Sequence, residues 1–306
     1  VADKILTCKG GKCAALAVQE TWRTGTEQIE SQRGVLFLGL GFDNARCARG
    51  SGGVGIFLSP DARVAFVAAG SQVLYFGKRI IAVRLMICDG KGKPVNVVFA
   101  SGYSPCGSSA VDMQDRERFL SDLSDLNTAC RANEVLVASI DGTGSMGRRQ
   151  EADDKVLGIH GTVHENEGGR LLHQTLASSE LCSAASFFKK RGHATWWHPA
   201  NGQPHQIDFM VVKQRHLTRV IDCGRTESVC HTDHAGMKLR LRIAKTLKYK
   251  VPSVPRRKVD RSKLAEPGTR IRFRVAARAR ADEILYGPVC PILGRFANIE
   301  DKVVRE

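Results

Sequence analysis

The stretch VLVASIDGTG (residues 135–144) sets the expected fold, because an apolar run of strand length leads directly into an acidic residue. Val, Leu and Ile in such a run are typical of a buried strand. Asp141 stands where this strand should end, and Gly142, Thr143 and Gly144 then predict a turn. A buried strand end is a costly place for a carboxylate unless the site needs its charge. Asp141 is therefore a candidate site residue.

Similar runs recur along the chain, each short, rich in Val, Ile and Phe, and bounded by Gly, Asp, Ser or Pro. They predict strands at residues 14–19, 34–40, 53–59, 62–70, 80–88, 95–103, 135–141 and 206–212. Helical periodicity is confined to residues 112–131 and, for its first three turns, residues 169–188. Strands outnumber helices, and several follow one another without a helix between them. The pattern predicts an α/β fold of packed sheets flanked by a few helices.

The net charge of +15 is concentrated at the C-terminal end of the 306-residue chain. Residues 237–306 contain 19 Lys or Arg and only 7 Asp or Glu. We therefore predict one large domain at residues 1–242 and a basic, partly helical extension at 243–306. Arg256, Arg257 and Lys258 in this extension suit a polyanion such as nucleic acid. The alternative is a solubilising linker.

The composition argues against several classes of protein. No window approaches the eighteen or so uninterrupted apolar residues of a membrane helix, and the first twenty residues lack a secretory signal pattern. The ten cysteines are scattered without a CxxC pair, which is untypical of zinc modules and disulfide scaffolds. We expect a soluble intracellular protein that does not bind membranes, with the nucleus as a candidate location and most cysteines as buried free thiols.

Polar residues at or near the ends of predicted strands could form one site. Each alone is more typical of a turn, a helix cap or ordinary packing. As a set they supply oxygen ligands for a divalent cation, a histidine with a carboxylate partner, and a phenol that can donate to a phosphate oxygen. The set consists of Glu20, Tyr103, Asp141, Asp208, Asp233 and His234.

The order of the motifs resembles the endonuclease/exonuclease/phosphatase superfamily, and more closely the retrotransposon-type endonuclease domains and craniofacial development protein 2-like sequences. The matching segments are QET (19–21), SGYSP (101–105), the Asp141 loop (140–147), LGIHGTVHENEGGRLL (157–172), FFKKRGHATWWHPANGQPHQIDF (187–209) and TDHAGMKLRLR (232–242). The resemblance implies a four-layered α/β sandwich, with two mixed sheets face to face and helices outside. With lower specificity, residues 255–305 resemble the segment that joins such an endonuclease to a reverse transcriptase. The resemblance thereby implies a reverse transcriptase domain as a partner in a longer polyprotein.

The resemblance also implies which residues bind a metal ion and the phosphate. Glu20 matches the glutamate that binds Mg²⁺ or Mn²⁺, and Asp233 a carboxylate often assigned to the metal region. Tyr103 matches the tyrosine that contacts the scissile phosphate. Trp196 and Trp197 could stack on bases or wedge at the surface of DNA, although we expect one of the two to lie in the core.

The resemblance implies that the reaction is attack of water on a phosphodiester of DNA. Asp141 matches the aspartate that orients or deprotonates the water or protonates the leaving group. His234 matches the histidine that acts on the phosphate or on the water, and Asp208 the aspartate that supports it.

Three departures from the family pattern predict weak hydrolysis. Thr143 stands in place of an asparagine whose amide is expected to donate to the developing oxyanion, and Gly142 removes an aromatic residue beside it. Residues 1–13 contain no asparagine where the family has one, so the first strand is altered or missing. Residues 180–188 lack a usual Asn-Thr pair. The alternative function is a catalytically inactive, nucleic-acid-binding remnant of such an endonuclease.

Other functions fit the residues less well. The superfamily includes phosphatases of inositol phosphates and sphingolipids, but the closer motifs and the basic extension favour DNA. Asp141–Gly144 differs from an aspartic-protease loop by an inserted glycine and has no second copy. SGGVG (51–55) lacks the Lys-Ser/Thr of a phosphate loop and predicts a hairpin turn. His231, Asp233 and His234 lack further ligands at zinc spacing.

Overall fold

A computed structural model describes residues 14–23, 25–31, 34–39, 52–88, 93–107, 109–226 and 232–243, together with helical residues 268, 271, 272, 274–276 and 278. The chain divides into two compact units, Val1–Tyr249 and Lys250–Glu306. The described residues of the second unit are all exposed. The helices that the structure describes are too short or too polar to cross a bilayer.

Fourteen strands occur among the described residues of the first unit. They are β1 (Ala15–Gln19), β2 (Glu27–Ser31), β3 (Gly34–Leu38), β4 (Val54–Leu58), β5 (Val73–Phe76), β6 (Ile80–Cys88), β7 (Pro94–Tyr103), β8 (Val135–Asp141), β9 (Leu181–Ser183), β10 (Trp196–Trp197), β11 (Pro204–His205), β12 (Asp208–Lys213), β13 (Val220–Thr226) and β14 (Gly236–Leu241). The helices are α1 (Pro60–Ala68), α2 (Ala110–Ala129) and α3 (Glu167–Ser178). Short 3₁₀ helices span Ala184–Phe187 and Gln214–Arg219.

The central layer is a mixed six-stranded sheet in the order β5-β6-β7-β8-β12-β9. Strands β7 and β8 are parallel, and the other neighbours are antiparallel. A four-stranded antiparallel sheet, β1-β4-β3-β2, and the hairpin β13-β14 pack against one face of it. Helices α2 and α3 cover the other face. The α/β sandwich predicted from the sequence is confirmed.

Alternate residues of β8 belong to two different cores. Val135 and Val137 join the core between the layers of strands. Leu136, Ala138 and Ile140 join the core under the helices. Because side chains of a strand alternate between faces, a strand covered on both sides must be apolar at almost every position. This explains why Ser139 is the only polar residue among residues 135–140.

The prediction of a strand at residues 62–70 was wrong, because helix α1 occupies Pro60–Ala68. Ser59 is its N-cap, and its Oγ accepts a hydrogen bond from the Ala62 N–H at 3.3 Å. Pro60 fills the first turn, where a missing N–H costs nothing. The helix buries Ala62 and Phe66 in the core between the layers of strands.

The prediction of a helix at residues 169–188 was right only for its first half. Helix α3 ends at Ser178, and Glu180 adopts a left-handed φ of 53° that no α-helix can contain. Leu181–Ser183 then pairs with β12 as the edge strand β9. The apolar residues after Glu180 thus serve the sheet rather than a helix face.

Candidate catalytic and metal site

Three strand ends meet at one rim of the six-stranded sheet. Strand β7 ends at Tyr103 and β8 ends at Asp141, and the parallel register places these residues opposite each other. Strand β12 begins at Asp208, which lies opposite Asp141 on the antiparallel side. Because residues that are opposite in neighbouring strands lie side by side, the backbone pairing alone brings these three side chains together. Asp141 is 5% exposed.

His234 reaches this rim from the segment before β14. A β-bridge joins its backbone to that of Trp196, and the Ala235 N–H donates to the Thr195 carbonyl at 2.7 Å. The His234 Nδ1 lies 2.9 Å from the Asp208 Oδ2. A carboxylate beside Nδ1 fixes the orientation of the imidazole ring and leaves Nε2 for other partners. The pairing of His234 with Asp208 follows the expectation from the sequence.

Thr195 positions Asp208, although the sequence analysis assigned no role to this threonine. Its side chain is completely buried, and its Oγ1 accepts hydrogen bonds from the Ile207 and Asp208 N–H groups, each at 3.1 Å. The hydroxyl thereby fixes the start of β12.

The shared rim shifts the proton affinities of two groups in it. Burial raises the pKa of Asp141, the nearby charge of Asp208 raises it further, and His234 only partly opposes this. Burial lowers the pKa of His234, but its hydrogen bond to Asp208 and the charges of Asp208 and Asp141 outweigh burial and raise that pKa to about 9. His234 is thus a cation at neutral pH, whereas Asp141 holds its proton more tightly than an ordinary aspartate.

Glu20 and Tyr103 form the other side of the rim. Tyr103 Oη donates to Glu20 Oε1 at 2.6 Å. Burial raises the pKa of Tyr103, followed by this hydrogen bond and the charge of Glu20, so that the phenol keeps its proton. Gln19 anchors the end of β1, because its Nε2 donates to Ser101 Oγ at 3.2 Å and to the Ser139 carbonyl at 3.3 Å. Arg79, which the sequence analysis missed, places its Cζ 5.8 Å from the centre of the Tyr103 ring.

Among the described residues, one group of side chains could hold a metal ion. Asp141, Asp208 and His234 each offer a donor atom within 4.8 Å of the other two. Two carboxylates suit a divalent cation such as Mg²⁺ or Mn²⁺, and an imidazole can join them as a ligand once it has lost its proton. Asp141 and Asp208 can hold the ion while His234 stays protonated. The predicted ligands lie elsewhere on the rim, since Glu20 is bonded to Tyr103 and Asp233 Oδ2 accepts from Trp196 Nε1 at 2.8 Å. The donor set therefore fits a cation through three side chains, none of which was among the two predicted ligands.

Thr143 occupies an unusual backbone conformation just after Asp141. Its φ of 49° is left-handed, a region that β-branched residues avoid and asparagine tolerates. Its N–H donates to Asp141 Oδ1 at 3.0 Å, and its Oγ1 donates to the Pro105 carbonyl at 2.8 Å. Since a hydroxyl has a single proton, this side chain has no second hydrogen to offer to a substrate oxygen.

Gly142 leaves little room for a side chain. A Cβ added there would lie 2.9 Å from Leu172 Cδ2 and 3.1 Å from Phe209 Cε2. Leu172 and Phe209 belong to the core under the helices. Core side chains therefore fill the space beside the turn, and support for the turn comes from them rather than from an aromatic residue at position 142.

The expectation that one of the two adjacent tryptophans lies in the core was wrong. Both occupy the short strand β10 at the surface, where Trp196 is half-buried and Trp197 is 39% exposed. The Trp196 ring contacts His205, with ring centres 5.7 Å apart. The Trp197 ring lies under Arg225, whose Cζ is 5.4 Å from the ring centre. The hairpin of β10 and β11 is too short to bury either ring.

Two parts of the predicted site fall outside the described residues. One part is the basic group predicted to bind nucleic acid, which consists of Arg256, Arg257 and Lys258. The N-terminal segment 1–13, where the sequence lacks an asparagine, is the other.

Comparisons with known proteins establish the fold. No family model matches the sequence, and no curated protein matches it. The catalytic domain of Xenopus laevis APE2 superposes with a TM-score of 0.52 at 16% identity, over 76% of this chain and 85% of that one. The endonuclease domain of TRAS1, a telomere-specific non-LTR retrotransposon, superposes with a TM-score of 0.51 at 14% identity, over 80% and 91%. The chain has the endonuclease/exonuclease/phosphatase fold.

Proposed function

We propose that this protein is a divalent-metal-dependent phosphodiesterase acting on DNA, with hydrolysis weakened at position 143. The observation that carries the proposal is the convergence of Asp141, Asp208 and His234 within 4.8 Å at a rim that also contains the Tyr103–Glu20 pair. Acidic ligands, a cationic histidine and a protonated phenol are groups that can hold a metal ion and stabilise the charge that develops during phosphodiester hydrolysis.

Each side chain has a role that follows from its environment. His234, charged and oriented by Asp208, donates a hydrogen bond to a phosphate oxygen and offsets the negative charge that develops there. Tyr103 keeps its proton and donates to a second oxygen. Asp141 has a raised pKa and can exchange a proton with the attacking water or the leaving oxygen. A cation held by Asp141 and Asp208 would supply further positive charge beside the phosphate.

DNA is the proposed substrate because two features favour a long polyanion. The sequence carries a net charge of +15, most of it beyond residue 236. The superposed TRAS1 domain is described as the endonuclease of a telomere-specific retrotransposon. By the same analogy, we propose that the chain works beside a reverse transcriptase domain.

A second candidate function is a DNA-binding remnant without catalysis. Thr143 favours it, because its hydroxyl proton is used by the Pro105 carbonyl and its short side chain replaces an amide donor. Loss of one donor to the transition state typically lowers the rate by about 10²- to 10³-fold. Loss of a single donor would slow the reaction without changing the fold.

Nicking of supercoiled plasmid in Mg²⁺ or Mn²⁺ separates the two candidates. His234→Ala should abolish nicking if the rim is catalytic. A matched control is His173→Ala, which removes another His–Asp pair and leaves the rim unchanged. In that pair, His173 Nε2 lies 3.1 Å from Asp154 Oδ2. Loss of nicking in the first variant only supports the enzyme. No nicking by the wild type, with salt-sensitive DNA binding, supports the remnant, and neither nicking nor binding refutes both.

A further inference from the structure

A cavity of about 550 Å³ opens beside His234, and neither Asp141 nor Asp208 lines it. Strand β13 supplies Arg225 and Thr226, and the segment leading to β14 supplies Thr232 and Asp233. Trp197 of β10, His234 and Ala235 complete the lining. The roles proposed above for hydrolysis use only His234 among these residues. A group bound in the cavity would lie directly next to a phosphate held by that histidine.

One wall of the cavity is a stacked aromatic and cationic pair. The Arg225 guanidinium lies over the Trp197 ring at 5.4 Å, and its Nη1 donates to the Ala194 carbonyl at 3.3 Å. Both side chains are exposed. The cation–π contact and the hydrogen bond hold two flat groups against each other at the surface. Flat aromatic and guanidinium groups are the surfaces on which unpaired bases stack.

The other wall is polar and includes an anion. Asp233 is exposed and accepts hydrogen bonds from Trp196 Nε1 at 2.8 Å and from Thr232 Oγ1 at 3.5 Å. The bond from Trp196 is the main reason that the pKa of Asp233 lies below its usual value. With Arg225 and Asp233 both present, the cavity is not a simple anion site. It suits a ligand with a flat apolar face and hydrogen-bond donors at its edge.

We infer that this cavity binds the base of a nucleotide next to the scissile phosphate, stacked on the Arg225–Trp197 pair. The edge of the base would face Asp233 and Thr232, and its own phosphate would lie near His234. The identity of the ligand as DNA rests on the proposed function, but the stacking contact does not depend on hydrolysis. Arg225 and Trp197 are thus assigned to substrate positioning.

The test measures binding in EDTA, where no hydrolysis occurs. Two fluorescent single strands of equal length are compared by anisotropy, an oligothymidylate and a strand in which every nucleotide is abasic. Their phosphates are equal in number, so the counterion contribution cancels. The wild type should bind the strand with bases about 5- to 150-fold more tightly, the range measured for stacking of one base. Trp197→Ala should bind both strands equally, and Trp197→Phe should retain most of the preference.

Controls exclude a general loss of structure or charge. Arg225→Ala should also remove the preference for bases, whereas Arg118→Ala, at another exposed arginine, should keep it. Tyr75→Ala, at an exposed aromatic residue on the edge strand β5, should keep it as well. The inference is overturned if Trp197→Ala weakens both strands equally, if the wild type shows no preference, or if neither strand binds. A preference for bases without nicking would support the base-binding site and contradict only the proposed hydrolysis.

Discussion

Replacement of Thr143 by asparagine should restore a transition-state donor in a turn that already has the right backbone shape. The φ of 49° at this position is one that asparagine adopts readily and threonine does not. The turn is fixed independently by the N–H of residue 143, which donates to Asp141 Oδ1. An asparagine amide has two hydrogens. It can bond the Pro105 carbonyl, as the threonine hydroxyl does, and still offer a hydrogen to a phosphate oxygen.

The two effects of Thr143→Asn differ in size. Removal of a β-branched residue from the left-handed region should stabilise the fold by about 1 kcal/mol. Loss of the hydroxyl bond to Pro105 would cost about 1 kcal/mol if the amide does not replace it. The net change in the free energy of unfolding should therefore stay within about 1 kcal/mol. A restored oxyanion donor is worth about 3 to 4 kcal/mol in activation free energy, or 10²- to 10³-fold in rate.

Initial rates of plasmid nicking in Mn²⁺, with urea unfolding of the same samples, measure both quantities. Thr143→Ser keeps the hydroxyl and removes the β-methyl group, so it should stabilise slightly and leave the rate unchanged. Thr143→Ala offers no side-chain hydrogen and should not gain rate either. If Thr143→Asn is folded and its rate stays within about threefold of the wild type, the position does not face the reacting phosphate and the reasoning is wrong.

Three further predictions concern cation binding and stability. Mn²⁺ at about 100 times its dissociation constant should stabilise the fold by about 2.7 kcal/mol, and Asp141→Asn should reduce the resulting rise in Tm in a thermal-shift assay. Burial is the main cause that lowers the pKa of His216 to about 4. As the pH falls from 6.5 to 4, the unfolded chain binds a proton at His216 more readily than the folded chain, which should destabilise the fold by up to about 3 kcal/mol. Urea titrations at pH 7 and 4.5 should therefore show a smaller loss of unfolding free energy in His216→Leu than in the wild type, and an equal loss would contradict this. Lys213 is buried, and its Nζ donates a hydrogen bond to the Cys130 carbonyl at 2.8 Å. Lys213→Met should therefore lower the free energy of unfolding by about 1–3 kcal/mol. Arg215→Met, at an exposed position nearby, should change it little.

The sequence predicted the middle strands of the central sheet well because they are buried on both faces, whereas it missed the two edge strands, β5 and β9. Strand β6 has the predicted bounds, and β7 and β8 differ from prediction by one residue at most. A continuous apolar run of this length is a strong signal for a covered strand. The meeting of Asp141 with Asp208 came from the family resemblance, and the strand register now gives the reason for it.

The sequence failed where a local signal competed with composition. Val64, Phe66 and Val67 favoured a strand at residues 62–70, yet the Ser59 cap and Pro60 begin a helix that leaves both valines exposed. Strand β14 alternates half-buried and exposed residues. It was missed because its basic residues were interpreted as the start of the basic C-terminal extension. The contact of Arg225 with Trp197 joins residues far apart in sequence, and no spacing rule could have found it.

The strand register that brings Tyr103, Asp141 and Asp208 to one rim also determines which mutations the protein can survive. Loops between the strands can lengthen or shorten over evolutionary time, because the ladder of backbone bonds keeps these three side chains in place. A single-residue deletion inside β8, by contrast, would turn Asp141 toward the opposite face of the sheet. Substitution at a turn position such as 143 leaves that ladder intact. A lineage can therefore lose its chemistry one side chain at a time while the scaffold persists.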